Sequence, residues 1–382
     1  MQPLGLRKGE LDLYHAFILS PHDFKIEVDV LHMDEKHASS ATARFIDGQV
    51  NLQRDGTVKR TATLTFYDPD HAMRLDGDSP FEGAVFADRM LRVHHVVNVP
   101  GVGEVRSTPF VGPVVKVSRD GDQLTVECQD KTLLAVEGCP HKTVKKGRNA
   151  VDAIRDIMSD CTGEARFRLP KNTKQRLHRS YSVGWKTEAS PWAVCQKIAH
   201  DLGMQLFYSC DGALVLRNKP RSAAITLRQD EALTGPPQSD YDLTNIRNIV
   251  RVTGLQNKKK HIHIAAVAKP HPSHPFAPNN PSFMRNGVPR YLPLLIDDSG
   301  IKKGSKARAR AKQELDDALP MQVDASFPSA PFFHLDYGDL VRARSDWGSL
   351  TIPFTEGSIP LGLTGDASTG AQKRVSKPRR RS

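Results

Sequence analysis

Hydrophobic and polar positions alternate with a period of two over much of the first third of the chain. The pattern is clear in "FKIEVDVL" (24–31) and "GQVNLQRDGTVKRTATLTFYD" (48–68), and it is typical of strands with one buried face. Asp55-Gly56 and Asp120-Gly121 interrupt such runs and indicate turns between antiparallel strands, although the first stretch also fits one bent strand. The pattern predicts an antiparallel sheet or barrel with little helix up to about residue 136.

The period changes to that of a helix in residues 137–222. "RNAVDAIRDIMSDCTG" spaces its apolar residues on one helical face and ends at Gly163, where a C-terminal cap belongs. "SPWAVCQKIAHDLG" has a capping Ser190, a proline in the first turn and a stripe that ends at Gly203. The stripe consists of Trp192, Cys195, Ile198, Ala199 and Leu202. Two strands around the turn Asp211-Gly212 follow, so this segment is predicted to be a small α/β domain.

Strands return from residue 223 to about 365. They are predicted in "AAITLRQ", "NIRNIVRVTGL", "KHIHIAAVA" and "MQVDASF". The Pro- and Asn-rich stretch 269–290 interrupts them and is predicted to be a long exposed loop. "KGSKARARAKQELDDALP" places alanine on one side and charge on the other, which predicts a helix that Pro320 ends.

The composition is that of a polar globular protein. The chain has 382 residues, 38% of them hydrophobic, and a mean hydropathy of −0.45. This length suits two or three domains of roughly 150 residues each. No apolar stretch of about 18 residues occurs, so we expect no membrane span. The first residues do not follow the pattern of a secretory signal, so we expect synthesis in a cytoplasm.

The net charge of +11 is unevenly placed, and about half of it lies at the end of the chain. Residues 366–382 carry a net charge of +5 and have no apolar periodicity, which predicts a disordered basic tail. Its cations could contact phosphate groups without reading a base sequence, and a merely solvated end is an equal alternative. These cations are Lys373, Arg374, Lys377, Arg379, Arg380 and Arg381.

Asp68-Pro69-Asp70 is the most prominent candidate for chemistry. Several carboxylates close together could bind a hard cation, and Asp76 and Asp78 follow nearby. The spacing does not match a calcium-binding loop. Aspartate also bonds its own backbone in turns, and proline presets the turn dihedral. A structural turn is therefore favoured over an ion site or an acid/base pair.

Other reactive residue types do not form a recognisable site. His261 and His263 share one strand face, with His271 and His274 after them, but Lys258, Lys259 and Lys260 stand next to them and would repel a metal ion. Cys195 and His200 point about 140° apart on one helix. The five cysteines contain no C-x-x-C pair and are interpreted as reduced thiols. We predict no catalytic residues, metal or cofactor.

The order of the motifs is more specific than any one of them. "VNLQRDGTVKRTATLTFYDPD" resembles the early segment of tailed-phage hub proteins, where a turn and an arginine-led strand enter an Asp-rich corner. "SPWAVCQKIAHDLGMQLFYSCDGALVLR" is similar to their middle segment, which ends in a strand with a final arginine. "LTNIRNIVRVTGL", "KARARAKQELDDAL" and "LDYGDLVRAR" resemble the later strand, helix and turn. These stretches span roughly residues 45–345.

The chain is thus similar to the phage tail hub family, called minor tail protein in long-tailed phages of actinobacteria and baseplate hub or late-control D protein elsewhere. The resemblance implies a mainly β fold with two tube-like antiparallel β-barrels, here residues 1–136 and 223–365, and a small α/β domain at 137–222. It also implies a homotrimer that joins the tail tube to the tip, with no shared catalytic residues. The long loop and the arginine-rich tail depart from the family and stay unexplained.

The leading hypothesis is a structural protein of the virion tail tip, assembled in the cytoplasm of a bacterial host. Its partners would be further copies of itself, the distal tail or tail tube protein, other tail-tip proteins and genome DNA in the lumen. One alternative is a tail-borne peptidoglycan hydrolase that uses Asp68, Asp70 or a distant glutamate. Another is a nucleic-acid-binding protein that uses its basic tail.

Overall fold

The fold is dominated by β-strands. The computed structural model describes residues 1–20, 22–73, 88–171, 174–185, 189–229, 231–242, 244–257, 262–319, 321–346, 348–362 and 367–375. The helices are α1 (Lys8–Ile18), α2 (Thr132–Val136), α3 (Ala150–Thr162), α4 (Pro191–Asp201) and α5 (Gly304–Ala318). The strands are β1 (Lys25–His32), β2 (His37–Ser40), β3 (Phe45–Leu52), β4 (Arg60–Tyr67), β5 (Arg89–Val99), β6 (Gly103–Asp120), β7 (Gln123–Gln129), β8 (Lys142–Val144), β9 (Phe167–Arg168), β10 (Tyr181–Val183), β11 (Gln205–Tyr208), β12 (Leu214–Arg217), β13 (Ile225–Arg228), β14 (Gln238–Asp242), β15 (Ile249–Asn257), β16 (Ile262–Ala268), β17 (Pro293–Asp297), β18 (Met321–Ser329), β19 (Leu340–Ser345), β20 (Gly348–Pro353), β21 (Glu356–Pro360) and β22 (Ala367–Val375).

The chain divides into two compact units. The first unit comprises Met1–Pro237 and Ser326–Ala371, and the second comprises mainly Gln238–Ala325. The predicted division at residues 136, 222 and 365 uses other boundaries and stays a prediction. The prediction of a mainly β fold with a small α/β part is confirmed. Among the described helices, none is both long enough and apolar enough to cross a membrane.

The first unit is built on a large antiparallel sheet. Its strands follow the order β21–β3–β4–β7–β6–β5–β1–β2. On β4 the alternation seen in the sequence buries Ala62, Leu64 and Phe66, since successive side chains of a strand point to opposite faces. Strands β6 and β7 pair around the turn that contains Gly121, whose φ is +56°. The hairpin predicted from Asp120-Gly121 is therefore present.

Helices α3 and α4 pack together in the α/β part of the same unit. The Asn149 side chain accepts hydrogen bonds at the start of α3, and Gly163 ends it with a φ of +71°. Ser190 caps α4 by accepting from the backbone of Ala193. The predicted stripe lies in the core, where Ile198 is 1% exposed, while Lys197 and His200 are exposed. The helical phase predicted from the sequence is confirmed.

The second unit packs helix α5 against the three-stranded sheet β16–β15–β17. Ala307, Ala311 and Leu315 form the buried face of α5, as the alanine pattern predicts. Stretch 269–290 contains no helix or strand. The buried amide of Asn248 holds the loop at two points, because it donates to the carbonyl oxygens of Phe276 (3.0 Å) and Arg290 (2.8 Å).

The C-terminal segment differs from its prediction. The tail was expected to be disordered from residue 366, but residues 367–375 form β22, which pairs antiparallel with β21. Ala367 and Thr369 are each 4% exposed and alternate with an exposed Ser368. A partner strand satisfies the backbone here, so a segment with little apolar content becomes ordered. The prediction of disorder is wrong for these nine residues, and residues 376–382 lie outside the described part.

Helix α1 was not predicted from the sequence. It precedes the first strand and buries Tyr14 and Ile18, which are 0% and 5% exposed. These two residues and Leu11 have helical spacing, so the signal was present although short. The helix contacts the buried His334 of the first unit, since the Nε2 atoms of His15 and His334 are 3.0 Å apart.

Candidate functional site

The Asp-rich corner at the end of β4 is an ion-pair cluster. Asp68 is 0% exposed, and its two oxygens lie 2.6 Å from Nη1 of Arg44 and 2.6 Å from Nη2 of Arg119. The backbone N–H of Met73 also donates to this carboxylate, at 3.1 and 3.2 Å. Asp70 binds the same Arg44, with 2.8 Å between Nη2 and Oδ2. Arg44, which directly precedes β3, and Arg119 on β6 therefore hold Asp68, and Arg44 also holds Asp70.

This geometry makes the corner a poor acid/base or metal site. The hydrogen bond from Arg44 holds the pKa of Asp70 below its usual range, and a general acid or base needs a pKa near the working pH. Both oxygens of Asp68 already accept charged hydrogen bonds, and such bonds are strong. The corner therefore fixes the chain where β4 leaves the sheet.

A second charged cluster surrounds the turn Asp211-Gly212. The buried side chain of Lys131 forms ion pairs with Glu35 and with Oε2 of Glu164 (2.5 Å). Its Nζ also donates to the carbonyl oxygen of Gly212 at 3.0 Å. Burial would raise the pKa of Glu35, but Lys131 and Arg166 outweigh this effect and the pKa lies below its ordinary value. The cluster ties the β1–β2 turn to the α/β part.

A third cluster forms around the "LDYGD" turn. Arg60, the first residue of β4, is 2% exposed and donates to the carbonyl oxygens of Pro109 (2.7 Å) and Leu335 (3.0 Å). Arg217, the last residue of β12, lies with Nη1 2.8 Å from Oδ1 of Asp339. Gly338 lies within the turn at a φ of +80°. Arg60, which begins β4, and Arg217, which ends β12, thus contact the same turn. Local sequence signals did not show these contacts.

The remaining predicted site residues do not meet at one place. Asp55 and Gly56 lie in the loop between β3 and β4. Lys373 and Arg374 belong to β22, but their side chains lie outside the described part, as do Lys377, Arg379, Arg380 and Arg381 in full. His261 and the side chain of His263 also lie outside it. Among the described residues, no group of three or more His, Cys, Asp and Glu side chains is placed to hold a metal ion.

Histidine and cysteine side chains have local structural roles. In the long loop, Nδ1 of His271 lies 2.8 Å from Oγ of Ser273, and the N–H of Phe276 donates to His274. The cysteines of the chain are all free, and burial raises the pKa of the Cys195 thiol. His200 lies on the exposed side of the same helix. The structure therefore does not bring this thiol and imidazole together.

The fold is similar to those of known tail proteins. A scan against protein-family models finds no match, and a search of curated proteins finds none. The tail protein from Neisseria meningitidis MC58 is 12% identical, with a TM-score of 0.61 over 93% of this chain and 100% of that chain. The 43 kDa tail protein of prophage MuSo2 from Shewanella oneidensis is also 12% identical, with a TM-score of 0.61 over 92% and 98%. A chain of the Francisella PdpA–VgrG complex is 10% identical, with a TM-score of 0.54 over 98% and 62%. This chain therefore has the fold of phage and prophage tail proteins.

Proposed function

We propose that this chain is a structural component of a phage tail tip or baseplate hub, without enzymatic activity. It assembles as a homotrimeric ring that joins the tail tube to the tip. Its neighbours are the distal tail or tail tube protein and other tail-tip proteins, and genome DNA passes through the ring. The protein is made in the cytoplasm of the bacterial host and resides at the tail tip of the virion.

The end-to-end structural match carries this proposal. The similarity covers 93% of this chain and 100% of the Neisseria tail protein, so the two chains share one architecture rather than one domain. The three charged clusters support a mechanical role, because each uses its arginine or lysine side chains to fix turns of the first unit. Clamped turns suit a protein that must keep its shape in a large assembly.

The outer face of β3, β4 and β7 supports assembly with further subunits. Opposite the buried side chains, β4 presents threonines. Thr63 lies across from Gln49 and Glu127, and Thr65 lies across from Asp47 and Thr125. The charged neighbours are Asp47 and Glu127, and Glu127 pairs with Lys116 at 2.8 Å. The centres of protein interfaces are depleted of charged residues. A polar sheet face on which threonine and glutamine side chains separate a few charged residues therefore suits contact between subunits.

Native mass spectrometry of the full chain tests the trimer and this face together. We expect three copies for the wild type and dissociation for Thr63→Lys, because each copy would bury an added charge in the contact. Thr226→Lys is the matched control, since it adds the same charge at an exposed position on β13 and should leave three copies. A wild type that stays monomeric and is absent from purified tails would refute the proposal.

A zymogram on bacterial cell walls tests the hydrolase alternative. We expect no clearing by the wild type, because Asp68 and Asp70 are held by arginines. Clearing that Asp70→Asn abolishes would instead establish an enzyme. Asp70 is the informative position because its side chain is 62% exposed, so its replacement should leave the fold intact.

A further inference from the structure

The net positive charge of residues 1–365 lies in the α/β part. Residues 137–222 contain sixteen Lys and Arg against eight Asp and Glu, a net charge of +8. Residues 1–136 and 223–365 together have a net charge of −2. The net charge of residues 1–365 as a whole is small for their number, but the positive excess belongs to residues 137–222 alone. Such a concentration points to a surface for a polyanion.

The fold brings two basic segments of this part side by side. The backbone N–H of Gly147 donates to the carbonyl oxygen of Leu177 at 2.9 Å, and the N–H of Leu177 donates to that of Arg148 at 2.9 Å. Ala150 and Gln175 continue the antiparallel pairing, with an N–H···O distance of 3.0 Å. Cations that are about 30 positions apart in the sequence are therefore neighbours on one surface.

Four of these cations have no carboxylate partner among the residues that the structure describes. They are Lys145, Lys146, Lys174 and Arg176, here called the basic edge, and all four are exposed. Arg148 and Lys142 differ from them, because Asp156 and Asp160 neutralise them. Within the edge, Nη1 of Arg176 donates to the carbonyl oxygen of Gly147 at 2.9 Å, which orients its guanidinium beside the two lysines.

The number of exposed cations in the basic edge indicates which kind of anion it binds. Residues Lys145 to Arg148 form a turn, in which the N–H of Arg148 donates to the carbonyl oxygen of Lys145 at 3.4 Å, and this turn lies next to the segment that carries Lys174 and Arg176. Four exposed cations without carboxylate partners are more than one phosphate requires, and they suit a nucleic acid strand, which carries a phosphate about every 3.4 Å. The apolar residues between the cations, Val144 and Leu177, are 4% and 5% exposed, whereas membrane-surface segments present apolar side chains to the lipid.

We propose that the basic edge binds the phosphate backbone of nucleic acid without reading its base sequence. Phosphate contacts of this kind position a protein on a duplex but carry no sequence information. The site is separate from the C-terminal arginines, and it does not depend on the trimer. It gives the α/β part a role that the tail fold alone does not assign.

Fluorescence anisotropy with a labelled 24-base-pair duplex tests this inference. Each phosphate contact contributes about 0.9 to the slope of log K against log salt, so Lys145→Gln with Lys146→Gln should lower the slope by about 1.8. At 0.1 M salt this corresponds to roughly 60-fold weaker binding. Lys306→Gln with Lys312→Gln is the matched control, because it removes two exposed lysines from α5 and should leave the slope unchanged.

Two further measurements separate the competing anions and the competing site. In a chain that lacks residues 376–382, Lys145→Gln with Lys146→Gln should still lower the slope by about 1.8. Binding that disappears with those residues and ignores the lysine pair would overturn the inference. So would lysine-dependent binding to vesicles of 70% phosphatidylcholine and 30% phosphatidylserine with no binding to the duplex.

Discussion

Replacement of the buried His95 should make the protein more resistant to acid. His95 lies on β5 and is 0% exposed, stacked on Phe333 with ring centroids 3.8 Å apart and an interplanar angle of 14°. Neither ring nitrogen has a hydrogen-bond partner in the described part of the chain. The aromatic ring thus contributes packing, while its ionisable group contributes only a cost. His95→Phe keeps the ring and removes that group.

The sign and size of the effect follow from the pKa of His95. Burial, helped by the nearby His22, lowers this pKa from 6.5 to about 3. Between pH 6.5 and about 3 the unfolded chain therefore binds one more proton than the folded chain, so the free energy of unfolding falls as pH falls. The loss is about 1.4 kcal/mol per pH unit, or roughly 2 kcal/mol at pH 5. His334, whose pKa burial also lowers to about 3, should add a similar loss.

Urea unfolding followed by circular dichroism at pH 7.5, 6 and 5 measures this effect. We expect His95→Phe to gain roughly 2 kcal/mol over the wild type between pH 7.5 and pH 5. His200→Phe replaces an exposed histidine and serves as the control, with the pH dependence of the wild type. An unchanged pH dependence in His95→Phe would show that this side chain is not buried as a neutral group.

Four further substitutions test the packing, the Asp68 cluster and the long loop. Ile198→Ala should lower the free energy of unfolding by roughly 2–5 kcal/mol, because the Ile198 side chain is fully buried. Lys197→Ala should change this free energy by less than about 0.5 kcal/mol. Equal losses in the two variants would mean that the helical phase is wrong. Asp68→Asn should cost about 3 kcal/mol, since it leaves two arginines facing a neutral group, and thermal unfolding measures the loss. Asn248→Ala should speed proteolytic cleavage in stretch 269–290, because the loop loses the two hydrogen bonds that this amide donates to it. An unchanged cleavage rate would show that other contacts hold the loop.

Local signals in the sequence predicted the elements better than their contacts. The turn at Asp120-Gly121 and the capped helix α4 depend on neighbours within a few residues, so their patterns were sufficient. The ion pair between Lys131 and Glu35 joins residues 96 positions apart. From the sequence alone, Lys131 could have paired with any acidic residue of the chain. Only the packing of the strands determines which charged residues form the ion pair.

The C-terminal strand shows where local reasoning gave the wrong answer. Residues 367–375 lack a strong apolar pattern, and composition alone favours disorder. Pairing with β21 supplies backbone hydrogen bonds, and Ala367 and Thr369 are small enough to be buried there. The basic edge was missed for a different reason. The net charge of residues 1–365 is small because acidic residues elsewhere in the sequence offset the positive charge of residues 137–222.

A density map of tails purified from the phage that encodes this chain tests the central claim most directly. We predict a ring of three copies at the tip end of the tail tube, with the outer face of β3, β4 and β7 in contact with a neighbouring subunit. Tails that lack this chain, or a map that places single copies away from the tube axis, would contradict the account.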